Sequence, residues 1–153
     1  MDGWHETDIR VRYAETDRMG IVHHSNYLIW FEAGRSDFFR EKGFSYTKME
    51  EESDALMVVA ECYIRFKSPA YYDDVLTIRS KVTELRSRSL RFFYEVYRKF
   101  DDKLIAEGET LHVITDQNKK VRTMPSVYRD ILIDHLESFA LIDDATVVDE
   151  TDI

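Results

Sequence analysis

The stretch N-Y-L-I-W-F-E-A-G-R-S-D-F-F-R-E-K at residues 26–42 is the most hydrophobic helical pattern in the chain, and it limits what can surround it. Tyr27, Phe31, Gly34 and Phe38 recur at i, i+4, i+7 and i+11 and form one stripe, which Leu28, Trp30 and Phe39 widen. A helix with so broad an apolar face must be covered by another layer. Ser25 or Asn26 stands where a side-chain oxygen can accept a bond from a first-turn N–H, and Gly43 stands where a helix commonly ends. Gly34 costs the helix about 1 kcal/mol relative to alanine. Its place on the stripe therefore points to close approach of the helix to another backbone.

The covering layer is legible as alternation. Residues 8–14 put Ile9, Val11 and Tyr13 on one face and Asp8, Arg10 and Arg12 on the other, which reads as a half-buried strand. Beyond the helix, Leu56, Val58, Ala60, Cys62, Ile64 and Phe66 share one face of a run that Pro69 closes. After the turn-like Tyr71-Tyr72-Asp73-Asp74, Leu76, Ile78 and Val82 point one way. Leu90, Phe92, Tyr94 and Val96 alternate with Arg91, Phe93, Glu95 and Tyr97. Asp101-Asp102-Lys103 makes a hairpin turn, and a last strand runs from Leu104 to Thr115. Several of these runs are longer than a typical strand, so the sheet has to curve. A strand, a buried helix and four consecutive antiparallel strands predict an α+β domain with a five-stranded sheet wrapped around the helix at 26–42. A shorter amphipathic helix begins near Pro125, with Tyr128, Ile131, Leu132, His135 and Leu136 on its apolar side. Residues 142–153 are acidic and aperiodic and read as a loose tail.

With 153 residues, two prolines and five glycines, the chain offers no linker and reads as one domain. A formal net charge of -9 argues against general nucleic-acid binding and against attachment to an anionic membrane, but it leaves room for a local basic patch. Cys62 is the only cysteine, which excludes an intrachain disulfide and a cysteine zinc cluster. The longest unbroken apolar run, Ala55 to Ala60, is too short to cross a bilayer. Met1-Asp2-Gly3-Trp4-His5 lacks the basic and apolar regions of a secretory signal. These features predict a protein of the reducing cytoplasm, without nucleic-acid or integral membrane partners.

The loop ahead of the helix carries the chemistry. It holds Asp17, Gly20, His23 and His24 just upstream of a helix N-terminus, where unpaired N–H groups and the positive end of the dipole collect. A carboxylate placed there can act on a carbonyl carbon, or on a water beside it, while the N–H groups hold the carbonyl oxygen. That is an arrangement for acyl transfer. Gly20 can supply a positive φ or a close approach of ligand. His23 and His24 lack the further ligands a metal would need, so no metal is expected.

The spacing T-D-x-x-G-I-V-x-H-x-x-Y, within Y-A-E-T-D-R-M-G-I-V-H-H-S-N-Y-L-I-W-F-E at 13–32, resembles the hotdog-fold thioesterases. Within them it is similar to the group related to 4-hydroxybenzoyl-CoA thioesterase and the YbgC-type acyl-CoA thioesterases. The segments F-K-S-P-A-Y-Y-D-D-V-L at 66–76 and L-R-S-R-S-L at 85–90 add to the resemblance, which covers roughly residues 6–136. It implies a hotdog domain that hydrolyses acyl-CoA or acyl carrier protein thioesters to a free acid and a thiol, with no cofactor beyond the coenzyme A of the substrate. It also implies a homodimer joined edge to edge through its sheets, further paired to a homotetramer, with the active site between subunits.

By the same resemblance Asp17 is the nucleophile or general base, and the backbone N–H at His24 is the carbonyl donor, with the His24 side chain free to position Asp17 or substrate. Gly20, His23, Tyr27, Arg65 and Lys67 are candidate substrate contacts. Arg86, Arg88 and Ser89 match the region that touches the nucleotide in relatives. Tyr27 and Trp30 read more readily as core or interface residues than as substrate contacts, and Glu32 reads equally as a group that orients the loop and as a solvated i, i+3 partner of Arg35. Two other readings stand beside hydrolysis. A 3-hydroxyacyl thioester dehydratase uses a histidine with an acid on or facing the helix, which Asp17 fits less well. A non-catalytic acyl-CoA-binding or regulatory module would lose the nucleophile, which this chain retains.

Overall fold

The computed structural model describes residues 3–136. In chain order they form β1 (His5–Arg10), a 3-10 turn (Tyr13–Glu15), α1 (Asn26–Glu41), α2 (Tyr46–Ser53), β2 (Leu56–Phe66), β3 (Val75–Leu85), β4 (Ser89–Arg98), β5 (Lys103–Thr115) and α3 (Ser126–Ile133). The five strands make one antiparallel sheet in the order β1-β3-β4-β5-β2. The sheet wraps around α1, which is the hotdog plan. Only β3, β4 and β5 follow one another as neighbours, because β2 crosses to the far edge and pairs with β5 alone.

The core forms where the α1 stripe meets the inner face of the sheet. Phe31 stacks on Tyr94 with ring centroids 4.3 Å apart, and Phe38 meets Phe92 edge-on at 5.4 Å. Gly34 marks the close approach, with one difference from the expectation. A Cβ there would lie 2.6 Å from Ser80 Oγ and 3.1 Å from Ile78 Cγ2, so α1 rests on side chains of β3 and not on its backbone. Leu28 does not join the buried stripe and is 39% exposed. Arg35 is buried and donates to the Tyr94 hydroxyl at 3.2 Å, whereas Glu32 is exposed, so the expected pair of the two is not formed. From Tyr94 the chain of bonds continues to Thr110 Oγ1 at 2.7 Å and on to His112 Nε2 at 2.7 Å.

Four local expectations change. β1 ends at Arg10, and Tyr13 is an exposed residue of the 3-10 turn, because the Glu15 carboxylate accepts the Arg12 N–H at 2.7 Å and turns the chain. Neither Ser25 nor Asn26 caps α1: the Ser25 hydroxyl is engaged by His23 Nδ1 at 2.8 Å, and Asn26 Nδ2 donates to the carbonyls of Glu15 and His23. A bulge at Ala60, between the pairs Val59↔His112 and Glu61↔Leu111, reverses the facing of β2. Met57 and Val59 therefore share the inner face with Cys62, Ile64 and Phe66, while Leu56 and Val58 face outward. The helix α2 has no apolar stripe to announce it, since Met49 is its one buried residue; the Ser45 hydroxyl starts it by accepting the Lys48 N–H.

Other expectations hold. Gly43 ends α1 at φ +99°, Asp73 and Asp102 take positive φ in the two turns, and α3 follows Pro125 with Tyr128 and Leu132 buried. Residues 142–153 lie outside the described residues. Among the described residues no helix is long and apolar enough to cross a membrane.

Candidate active site

Asp17 sits in a tight loop between the 3-10 turn and α1. Its N–H donates to the Ile21 carbonyl at 2.8 Å, its carbonyl accepts the Gly20 N–H at 2.9 Å, and its Oδ1 accepts the Met19 N–H at 2.8 Å. The turn needs Gly20 for its backbone alone: φ is +79°, and nothing lies within 4 Å of where a Cβ would stand. The loop is then pinned on two sides, by Val22 N–H to the Ala70 carbonyl and by His23 N–H to the Glu15 carbonyl, each at 2.9 Å.

This pinning leaves the chain rising into α1 with a free donor. The His24 carbonyl accepts the Tyr27 N–H, but among the described residues the His24 N–H has no acceptor. Asp17 and His24 line one open cleft of about 560 Å³, together with Val22, Tyr27, Phe66 and Lys67. Asp17 is half-buried and His24 is exposed. Asp17, with its carboxylate, and His24, with its unpaired amide, are thus both lining residues of one cleft at the positive end of a 16-residue helix. Tyr27 is part of the wall, 3% exposed, with its ring 5.2 Å from Trp30 and 5.3 Å from Phe66. Burial pushes its phenol up to about 12, so it remains a neutral hydroxyl.

The other candidate residues divide by place. Lys67 is at the cleft, and Gly20 shapes its loop. His23 is in the loop but turns its ring to Ser25 and stacks on His24 at 4.2 Å, without lining the cleft. Arg65 lies on the outer face of β2, 3.9 Å from Glu107 and over the Tyr63 ring. Arg86, Arg88 and Ser89 turn the chain between β3 and β4. That turn is at the opposite end of the sheet from Asp17, a distance of about 35 Å along an eleven-residue strand. One protomer does not bring these residues to the cleft. Among the described residues no group of three or more His, Cys, Asp or Glu side chains could hold a metal.

Glu15 is the residue that the sequence reading passed over. It is 5% exposed, and its carboxylate accepts from the Arg12 N–H at 2.7 Å and from Trp30 Nε1 at 3.1 Å. Burial alone would raise its carboxyl, but these bonds and the Arg12 guanidinium outweigh burial and hold it below the usual carboxylate range. The available signal was the spacing Arg12-x-x-Glu15, in which a carboxylate reaches back to the N–H of the residue that starts a turn.

Residues 11–132 match the profile of the thioesterase-like superfamily. The chain belongs to this superfamily. Among similar proteins, the acyl-CoA thioester hydrolase YbgC of Escherichia coli O157:H7 is 33% identical over 118 residues, which is 76% of this chain and 87% of that one. The crystal structure of the Thermus thermophilus protein TT1821 superposes with a TM-score of 0.78 at 38% identity, over 88% of this chain and 99% of that one. A 1,4-dihydroxy-2-naphthoyl-CoA (DHNA-CoA) thioesterase from Staphylococcus aureus superposes with a TM-score of 0.77 at 27% identity, over 83% and 85% of the two chains. The part of this thioesterase-like chain matched by the superfamily contains the whole of the Asp17 loop, α1 and the four strands β2 to β5.

Proposed function

We propose that the protein is an acyl-CoA thioesterase, hydrolysing the thioester to a free acid and coenzyme A. The observation that carries this reading is that Asp17 and His24, whose N–H has no acceptor among the described residues, line the same cleft. The thioester oxygen accepts that N–H, at the positive end of α1, where charge developing on the oxygen is stabilised. Asp17 either attacks the carbonyl carbon, giving an anhydride that water then opens, or takes a proton from the attacking water. In both routes the C–S bond breaks and the thiolate leaves with a proton, and one water is consumed. Both routes need a charged residue 17. The helix-borne acid of a dehydratase has no counterpart at this cleft, and a binding module would not need the carboxylate.

The reading includes a homodimer, of which two can pair into a tetramer. On both faces β2 carries exposed apolar residues, Val58, Val59, Tyr63 and Phe66, and among the described residues its outer edge is unpaired. An apolar unpaired edge invites a strand from a second copy. Antiparallel pairing of β2 with itself would reverse the partner's sheet, carrying its Arg86–Ser89 turn to the end where Asp17 stands. That turn would then lie about three strand spacings, roughly 15 Å, from the cleft rim, a span that the pantetheine arm can cross to place the nucleotide phosphates of coenzyme A between Lys67 and the partner's arginines. The single cysteine fits an enzyme of the reducing cytoplasm.

The test is a panel of acyl-CoA and acyl carrier protein thioesters read by free-thiol release, with wild type and Asp17→Asn. Loss of charge at constant size should lower kcat by about 10²-fold or more. Equal turnover by the two proteins would remove Asp17 from the mechanism.

A further inference from the structure

We propose that Glu15 is the positioning residue of this site: its buried carboxylate and its main-chain carbonyl together fix the Asp17 side chain against the His24 N–H. The proposal rests on the thioesterase reading, and it assigns a function to a buried acid that the reaction itself does not consume.

Glu15 holds four pieces of the site at once. One carboxylate oxygen accepts the Arg12 N–H at 2.7 Å, where the chain leaves β1. The other accepts Trp30 Nε1 at 3.1 Å, one turn into α1. Its main-chain carbonyl accepts the His23 N–H and Asn26 Nδ2, both at 2.9 Å. These bonds end two residues from Asp17 on one side and one residue from His24 on the other. The loop between them is also held by the Thr16↔Val22 and Ile21↔Tyr71 bridges, by Val22 N–H to the Ala70 carbonyl, by the turn closed at Gly20 and by the Met19 N–H on Asp17 Oδ1, but none of these bonds reaches α1. Residue 15 thus links the chain before Asp17, the residue before His24 and the second turn of α1, and so contributes to the relative position of carboxylate and donor. The importance of that position follows from the steepness of catalysis with geometry: a misplacement of about 1 Å can cost about 10²-fold in rate.

A carboxylate is needed here because two donors arrive from opposite sides. Glutamine has the same shape but only one oxygen, so either the Arg12 N–H or the Trp30 indole would face an NH₂ group and lose its acceptor. A buried donor without a partner drives rearrangement of its surroundings, and here those surroundings are the Asp17 loop and the second turn of α1.

The experiment compares wild type, Asp17→Asn, Glu15→Gln and Trp30→Phe on the best substrate of the panel, at a temperature where all four are folded by circular dichroism. Glu15→Gln should lower kcat by about 10- to 100-fold with KM within about two-fold of wild type, because binding of the thioester arm does not use residue 15. Trp30→Phe, which removes one of the two donors, should lower kcat in the same direction by a smaller factor. A thioether analogue of the substrate should bind Glu15→Gln as it binds wild type. A second readout does not depend on turnover. The chain has only two tryptophans, so the indole N–H resonance of Trp30 can be assigned by its loss in Trp30→Phe. In wild type that resonance should report a charged acceptor, and it should shift in Glu15→Gln and stay in place in Asp17→Asn. Full kcat in Glu15→Gln beside a dead Asp17→Asn would overturn the role of Glu15 and leave the thioesterase reading intact. Absence of thiol release from wild type on every substrate would instead overturn the reading itself. A fall in kcat matched by an equal rise in KM, or an indole resonance unmoved by Glu15→Gln, would also refute positioning.

Discussion

Replacing Gly34 by alanine tests how closely α1 is held to β3. The added Cβ would stand 2.6 Å from Ser80 Oγ, inside any normal contact, and 3.1 Å from Ile78 Cγ2, which is tight but can be relieved by a small shift. Overpacking of this kind costs about 1–3 kcal/mol, and the gain in helix propensity returns about 1 kcal/mol. The net expectation for Gly34→Ala is a loss of about 1 kcal/mol. Ser80 Oγ is buried and makes no hydrogen bond among the described residues, so Ser80→Ala alone should be close to neutral. In the double variant the nearest clash is gone while the helix gain is kept. Gly34→Ala/Ser80→Ala should therefore be more stable than Gly34→Ala by about 1–2 kcal/mol, a coupling well above the ~0.3–0.5 kcal/mol scatter of independent sites. Urea unfolding of the four proteins closes the cycle, and melting shifts of about 2–4 °C per kcal/mol provide a second reading. Additive effects within that scatter would refute the packing argument. Stabilisation by Gly34→Ala alone would do the same, since it would mean that α1 has room to spare.

Two further outcomes follow from other parts of the molecule. A lysine at Val59 on the inner face of the β2 edge, where the side chain is 47% exposed, should leave the protomer folded but weaken the dimer in sedimentation, with thiol release falling at the same protein concentrations; activity that survives complete dissociation would refute a shared site. His112, 1% exposed, is pushed down to about 3 by burial and by the nearby Arg35 charge, so the folded protein stays unprotonated where the unfolded chain, titrating near 6.5, takes up a proton. Stability from this group is complete above pH 6.5 and declines as pH falls toward 3, by ~3 kcal/mol at pH 4.5. The urea midpoint of wild type relative to that of His112→Gln should fall as pH drops from 7 to 4.5, and parallel pH profiles would refute the assignment.

Most of the architecture was legible because period and burial coincide. The inner residues of β3 and β4 alternate cleanly, so Leu76, Ile78, Leu90, Phe92, Tyr94 and Val96 could be placed on one face, and all are buried. β2 was misread for a physical reason. A single extra residue, Ala60, shifts the pairing, and period-two reading cannot see a residue that is skipped by the ladder. Its position at the sheet edge was hidden for a related reason: order in the sheet depends on which strands meet across the crossover, and alternation within a strand contains no such information. The end of β1 was lost to a side chain. Arg12 and Tyr13 continue the alternation in sequence, but Glu15 binds the Arg12 N–H and turns the backbone away from the sheet.

The site divides along the same line between what is local and what is assembled. Asp17, Gly20 and His24 are separated by a few residues, so a short motif suffices to name them, and the fold needs only the bend at Gly20 to set Asp17 and His24 on one cleft. Arg86, Arg88 and Ser89 are local to one another but sit at the other end of β3 from Asp17, so no spacing within a single chain relates them to the cleft. In the dimer proposed above, the exposed apolar edge of β2 is the element that would bring a partner's copy of them to it. Glu15 lies between these cases. It is two residues from Asp17, yet its role depends on Trp30, fifteen residues away, which becomes its partner only when α1 folds back over the turn. A buried carboxylate bonded to an indole across that distance has a small number of uses. Here it ties the start of the loop to the helix the loop leads into, and that tie adds to the bonds the loop makes for itself a hold that fixes it relative to the second turn of α1.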